Sequence, residues 1–169
     1  SLDWRRHNTG FSGNPPFGMD IRFVDTDVLK AGYEKAFGDV LVEASASYTD
    51  AAHGMNTFDL RPAMMQREAF AYAITRKADI AATFPAFGGS LQIGADTAEE
   101  DHNIHVVDPG NLDNFVYSLP DIVIDRTGAF AEWTGALGAF NAELGLRVDD
   151  YDGTGGTATF GEDASMGQK

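Results

Sequence analysis

The feature that most constrains this chain is a period-two alternation of apolar and polar residues that recurs along the sequence. In residues 40–48 the even positions are Val, Val, Ala, Ala and Tyr, whereas the odd positions are mostly polar. Residues 141–149 repeat the pattern, with Ala142, Leu144, Leu146 and Val148 alternating with polar residues and one glycine. Successive side chains of a strand point to opposite sides. The pattern therefore predicts strands with one apolar face and one polar face.

Six such segments are predicted as strands, at 25–36, 40–50, 69–84, 90–99, 126–134 and 140–149. They form three pairs joined by short turns at 37–39, 85–89 and 135–138. The remaining segments are predicted to be long loops or tails, at 1–24, 51–68, 98–125 and 150–169. Short turns at one end and long loops at the other are typical of bacterial outer-membrane barrels. The sequence thus predicts an all-β fold, an antiparallel up-and-down meander of about six strands that is part of a larger transmembrane β-barrel.

Six strands are too few for a lipid-facing barrel, since single-chain barrels begin at about eight strands. Alone, such a sheet would leave two unpaired edges and an exposed apolar face. The chain also begins with Ser1 rather than with an initiator methionine. We therefore expect residues 1–169 to be one partial barrel domain of a longer protein.

Composition excludes several other classes of protein. The chain has 26 acidic and 12 basic residues and a formal charge of −14, so its surface repels nucleic acid. It contains no cysteine, which excludes disulfides and thiolate metal sites within the chain. No run of about 18 apolar residues occurs, so no transmembrane helix is predicted. Barrel strands remain possible because they are short and alternate in polarity.

The barrel interpretation assigns each strand face an environment. The apolar faces are expected to contact outer-membrane lipid, and the charged faces to line the lumen, with Glu43, Lys77, Asp96, Glu143 and Arg147 as the lumen-facing residues. Aromatic residues beside the short turns are expected to form a membrane-interface girdle, namely Phe37, Phe84, Phe87, Trp133 and Phe140. Aromatic residues also pack at hairpin ends in soluble sheets, which is the alternative explanation for their position.

Several stretches carry a resemblance to a known family. Residues 13–21 (GNPPFGMDI) with 25–27 (DTD) resemble a loop-to-strand passage, and 53–61 (HGMNTFDLR) resembles an H-x-M-x-N-F-x-L-R stretch. Residues 128–134 (GAFAEWT) and 143–149 (ELGLRVD) resemble a G-x-F-x-E-W and G-x-R-y-D strand pair. From about residue 13 to 150, the chain thus resembles TonB-dependent outer-membrane receptors, notably their copper-receptor branch.

The resemblance implies a 22-stranded barrel with an N-terminal plug in the bacterial outer membrane. It further implies uptake energised by the TonB complex, with a copper ion or an iron-siderophore as transported substrate and no required cofactor. This sequence contains no plug, no TonB box and no terminal aromatic strand. Transport is therefore expected of the parent protein, with the TonB complex engaging its N-terminal part.

The four histidines and five methionines all fall in the predicted loops and tails. Thioether sulfur and imidazole together suit Cu(I). His53, Met55, Met64 and Met65 are therefore the candidate metal ligands. The alternative is that these methionines fill packing gaps between loops. Siderophore uptake would instead use aromatic and basic residues such as Arg61, Arg67 and Tyr117.

Other chemistry is not indicated by the sequence. The acidic stretch 149–153 lacks the twelfth-position glutamate of an EF-hand, and the glycine-rich stretch 153–157 is not followed by a phosphate-binding lysine. No G-x-S-x-G nucleophile setting occurs, so no enzymatic activity is expected. The alternative to a receptor is a soluble all-β ligand-binding domain, a sandwich or lipocalin-like barrel, in which the apolar faces point inward.

Overall fold

The computed structural model describes residues 1–14, 18–60, 62 and 66–156, with the backbone alone described at 112–118. Its strands form one antiparallel sheet in which each strand pairs with the next in sequence. Within the described residues, no helix has the length and apolar character needed to cross a membrane. The seven strands are β1 Leu2–Thr9, β2 Asp20–Phe37, β3 Val40–Asn56, β4 Glu68–Ala86, β5 Gly89–Asp108, β6 Asn111–Leu137 and β7 Phe140–Thr154.

The predicted all-β antiparallel meander is confirmed, but several predicted loops are wrong. The predicted tail at 1–24 contains β1 and the start of β2, and the predicted tail at 150–169 contains the end of β7. The predicted loop at 98–125 is a paired hairpin with a two-residue connection at 109–110. In the predicted loop at 51–68, β3 continues to residue 56. Backbone pairing continues in these segments although the side-chain alternation has stopped.

The three predicted short turns are confirmed, and each is a two-residue hairpin connection. They occupy residues 38–39, 87–88 and 138–139, all at the same end of the sheet. Phe87 and Gly88 both have positive φ angles, 52° and 73°, as a type I′ turn requires. At the opposite end the connections span residues 10–19, 57–67 and 109–110. The asymmetry between the two ends therefore holds for two of the three connections.

One face of the sheet is mainly apolar across β2 to β7, with Lys35 of β2 as a charged residue within it, opposite Val42. The register aligns Tyr33, Ala44, Ile80, Ala95, Ala129 and Val148 in one row, and Val42, Ala82, Ile93, Ala131 and Leu146 in the next. We call this side of the sheet the apolar face. Its large side chains are open to the surroundings, with 55% of Ile80 and 71% of Leu146 exposed. Ala69 and Ala98 are the buried hydrophobic residues of the described part. The described chain is therefore a single layer with no sealed apolar interior.

The apolar residues of this face form a band, which we call the apolar band, and it ends partway along the strands. Moving away from the turns, its next rows carry charges: Arg76, Glu99, Asp125 and Asp152 align in one row, and Asp27 and Asp50 in the next. From Phe140 to Val148 the band covers eight residue steps, about 27 Å along the strand. At a strand tilt of about 40° this corresponds to roughly 20 Å of height. That height is close to the lipid-facing band of about 25 Å in outer-membrane barrels.

Candidate functional site: the polar face and its ion pairs

The face opposite the apolar band carries the charged residues singled out in the sequence. The strand register places Glu43, Lys77, Asp96, Glu143 and Arg147 on this one side, which we call the polar face. All of them except Glu143 line a shallow depression of about 480 Å³ near the middle of the sheet. Glu143 lies nearer the turns, opposite Thr134. The sequence pattern thus brought four of the five residues to one place.

Asp96 is the centre of an ion-pair network that crosses three strands. Its carboxylate receives two hydrogen bonds from Arg147, with Nη1–Oδ2 at 2.7 Å and Nη2–Oδ1 at 3.0 Å. Arg126 Nη2 donates to the same Oδ1 at 2.9 Å, and Arg147 Nε donates to Asp149 Oδ2 at 2.9 Å. Such two-pronged pairing fixes the direction of a guanidinium as well as its charge. The Asp96 side chain is only 15% exposed.

A glycine makes room for this network. Gly128 lies directly between Asp96 and Asp149 in the register. A side chain at Gly128 would collide with the Arg147 guanidinium, which passes over it. Sequence reasoning missed Arg126, Asp149 and Gly128 as members of the site. The shared face of Arg147 and Asp149, two residues apart on one strand, would have found Asp149. Arg126 and Gly128 lie on the neighbouring strand, and finding them requires the register between strands.

The polar face holds opposite charges and hydrogen-bonding groups side by side. Lys77 Nζ lies 3.4 Å from Glu100 Oε1, and Ser45 Oγ donates to the Asp79 carboxylate. The Nε of Arg126 is buried without a hydrogen-bond partner in the structure. In the described part of the chain, no three His, Asp or Glu residues are grouped as metal ligands.

The candidate copper ligands are only partly described. His53 and Met55 lie on β3, on the polar face and at the end distant from the short turns. His53 lies opposite Val24 and Ala71 in the register. The structure thus brings two of the four candidates to one face, two residues apart. Met64 and Met65 lie outside the described residues.

The expectation that all histidines lie in loops or tails is wrong. His7 is in β1, His53 is in β3, and His102 and His105 are in β5. Of the residues considered for siderophore binding, Arg67 forms an ion pair with Asp108, with Nη1 and Oδ2 2.9 Å apart. Arg61 and the side chain of Tyr117 lie outside the described part.

The aromatic residues predicted for a girdle cluster at the turn end of the sheet. Phe37, Phe84, Trp133 and Phe140 share the apolar face, and Phe87 lies in the second turn. The Trp133 ring lies against Gly89 and Gly135, where side chains would collide with it. Its Nε1 donates a hydrogen bond to the backbone oxygen of Ala86 at 3.0 Å. The two glycines therefore create a seat for the indole at this level of the sheet.

Comparisons with known proteins agree with the sheet geometry. No family model and no curated protein matches the sequence. Among solved structures, the chain is similar to one described as "Copper transporter OprC", with a TM-score of 0.72 and 24% sequence identity. This likeness shows the fold. The match covers 85% of this chain and 26% of that one, so the chain spans about a quarter of the transporter's length.

Proposed function

We propose that this chain is a barrel segment of an outer-membrane TonB-dependent receptor that takes up a metal ion or metal chelate. The observation that carries the proposal is the uncovered apolar band opposite an ionised face. In water, a contiguous exposed apolar surface of this kind is unfavourable and promotes association. In lipid the same surface matches its surroundings, and the paired backbone satisfies its hydrogen bonds within the sheet.

The limits of the band support this placement. On one side it ends at the aromatic residues beside the turns, including Trp133 and Phe140. On the other side it ends at the charged row that contains Arg76 and Glu99. Aromatic residues are enriched at membrane–water interfaces, and charged residues are costly at the bilayer midplane. The two boundaries are therefore where the band would meet water on each side of the membrane.

The ion-pair network supports a water-filled lumen on the other face. Asp96 and Arg147 lie at the same level of the sheet as the apolar residues Ala95 and Leu146. Charged side chains at that depth are tolerated where they pair with one another or face an aqueous cavity. The polar face is accordingly the lumen side, and Glu43, Lys77 and Glu143 line the same wall.

Copper is the substrate that the chain supports best. His53 and Met55 lie on the lumen side at the end away from the turns, and Cu(I) prefers such thioether and imidazole ligands. We assign Met64 and Met65, in the following connection, to the same capture site. The similarity to a protein named as a copper transporter agrees with this choice. A ferric siderophore is the competing substrate, and uptake of either is energised by the TonB complex.

The proposal is tested by copper uptake in cells that depend on the full-length protein carrying this chain. We expect uptake to require TonB and to fall when Met55, Met64 and Met65 are changed to Ala. Thr49→Ala, on the same strand and face, is the matched control and should transport normally. Copper uptake that continues without TonB would overturn the assignment as a TonB-dependent receptor. Copper uptake that is indifferent to all three methionines while siderophore uptake is strong would overturn the copper assignment.

A further inference from the structure

A second pocket lies beyond the apolar band, on the outward side of the sheet. It has a volume of about 310 Å³ and is lined by Tyr72, Ile74, Asp101, Asn103, His105 and Asp121. In the register, Ile74 faces Asp101 and Tyr72 faces Asn103, so neighbouring strands form its floor. Neither the copper ligands nor the ion-pair network contributes to it.

The height of this pocket follows from the strand geometry. The apolar band ends near Ala78 of β4. Tyr72 lies on the same strand, six residues farther from the short turns. Six residues span about 20 Å of strand, or roughly 15 Å of height at a tilt of about 40°. In the proposed orientation, the pocket therefore lies above the hydrocarbon layer, at the level of the sugars of the outer-leaflet glycolipid.

A stack of rings builds one wall of the pocket. The ring centroids of Phe70 and His105 are 5.3 Å apart, and those of Tyr72 and His105 are 6.0 Å apart with an interplanar angle of 15°. Phe23 continues the series, 6.5 Å from Phe70. The stack fixes the orientation of Tyr72, which nevertheless keeps 46% of its surface exposed. A fixed, half-exposed aromatic ring is a platform for a flat ligand.

The opposite wall is polar and is shaped by an irregularity in β6. The register shifts between His102 and Ile104, and Asp121 there has a positive φ of 43°. Bulges of this kind re-aim side chains and are frequent next to binding sites. Asn103 Nδ2, on β5, donates to the Asp121 carboxylate on β6. The carboxylate of Asp101, also on β5, lines the same pocket. The wall therefore presents mainly hydrogen-bond acceptors.

We propose that this pocket binds a neutral saccharide unit, with its ring on Tyr72 and its hydroxyls donating to Asp101 and Asp121. Hydroxyl groups are the donors that carboxylate acceptors need, and ionised acceptors form the stronger hydrogen bonds. Two carboxylates repel phosphorylated or acidic sugars, so the pocket favours uncharged sugars over anionic ones. The volume suits a small ligand. The placement of the pocket, though not its chemistry, rests on the proposed membrane orientation.

Binding is tested on the full-length protein in detergent by titration with D-glucose, D-galactose and the neutral trisaccharide maltotriose, followed by saturation-transfer NMR. We expect saturable binding of at least one of these probes. Tyr72→Ala and Asp121→Asn should each weaken it by about tenfold, the order of one lost stacking or charge-assisted contact. Tyr72→Phe keeps the ring and should bind within about threefold, which separates loss of the site from loss of the fold. Tyr151→Ala, an exposed tyrosine on the polar face, should bind unchanged.

The source of the saccharide is read from the glycolipid that copurifies with each variant. Less copurifying glycolipid with Tyr72→Ala indicates membrane sugars, whereas unchanged glycolipid with weakened probe binding indicates a free sugar. Either result supports the site. No binding of any probe, binding indifferent to Tyr72→Ala, or binding of Ca²⁺ in place of sugar would overturn it. Because copper uptake is not used as a readout, this outcome is independent of the proposed transport function.

Discussion

Replacing Ile93 with arginine places a charge in the middle of the apolar band. Ile93 lies in the row between Ala82 and Ala131, and 45% of it is exposed. If that exposed surface meets lipid at mid-depth, the arginine should lower the free energy of unfolding by about 2–4 kcal/mol. That range corresponds to a roughly 30- to 1000-fold change in the folding equilibrium. If the surface met water, an exposed substitution would change the free energy by no more than about 0.5 kcal/mol.

Two control substitutions test whether the loss of stability depends on the face of the sheet and on the depth in the membrane. Gln92→Arg changes the neighbouring residue on the polar face, where Glu132 lies directly opposite in the register and offers a partner. Phe140→Arg stays on the apolar face but lies at the turn end, where the expected cost falls to about 0–1 kcal/mol.

The assay is reversible denaturant unfolding of the full-length protein in lipid vesicles, followed by tryptophan fluorescence, for all three variants. The expected order of destabilisation is Ile93→Arg well above Phe140→Arg and Gln92→Arg. Equal costs at Ile93 and Gln92, or a larger cost at Gln92, would refute the assignment of the two faces.

Three further predictions concern the two faces near the turn end and the hairpin that β5 and β6 form around residues 109–110, which we call the upper hairpin. Gly89→Ala forces a methyl group against the backbone and the Trp133 ring, so it should lower the free energy of unfolding in vesicles by about 1–3 kcal/mol. Gly145 has open space around it, so Gly145→Ala should leave that free energy unchanged or raise it by up to about 1 kcal/mol. Equal effects would contradict the proposed indole seat. Trp133→Phe loses the indole hydrogen bond and should cost about 0.5–1.5 kcal/mol in the same assay, and no loss would contradict its role. Burial lowers the pKa of His105, well outside the apolar band, below its usual 6.5. Hydrogen-exchange protection of the upper hairpin should therefore be full above pH 6.5 and fall as the pH drops below that value, and His105→Asn should flatten this dependence.

The sequence predicted the part of the fold in which side-chain alternation and backbone pairing coincide. Around Val42, Ile93 and Leu146 one face is apolar and the other polar, so the period-two signal is clear. The two-residue turns followed from glycines at their centres, such as Gly38 and Gly138, whose φ angles are positive. These elements depend on local residue pattern, which a single sequence displays.

The remaining strands were missed because their outward faces are not apolar. In β1 the face that begins with Leu2 and Trp4 continues with Arg6 and Asn8, so the pattern ends after two residues. In β5 beyond Ala98, acidic residues and histidines occupy both faces. Pairing with neighbouring strands holds these segments extended, and that information lies in the register rather than in local polarity.

The candidate sites, like the strands, could be predicted only in part from the sequence. The shared face of Asp96 and Arg147 followed from counting residues along each strand. The contribution of Arg126 did not, because it requires knowing which residues of adjacent strands lie opposite each other. The copper site was predicted from residue types alone, and the structure adds that His53 and Met55 share the polar face.

The central claim, that the apolar face meets lipid and the polar face meets water, is tested most directly by site-specific fluorescence quenching. This chain contributes no cysteine, so Ile93→Cys and Gln92→Cys each carry one environment-sensitive label within it. In vesicles containing nitroxide-labelled lipid, the label at position 93 should be blue-shifted and strongly quenched. The label at position 92 should respond instead to a water-soluble quencher. Quenching by lipid at position 92 and by the aqueous quencher at position 93 would contradict the account.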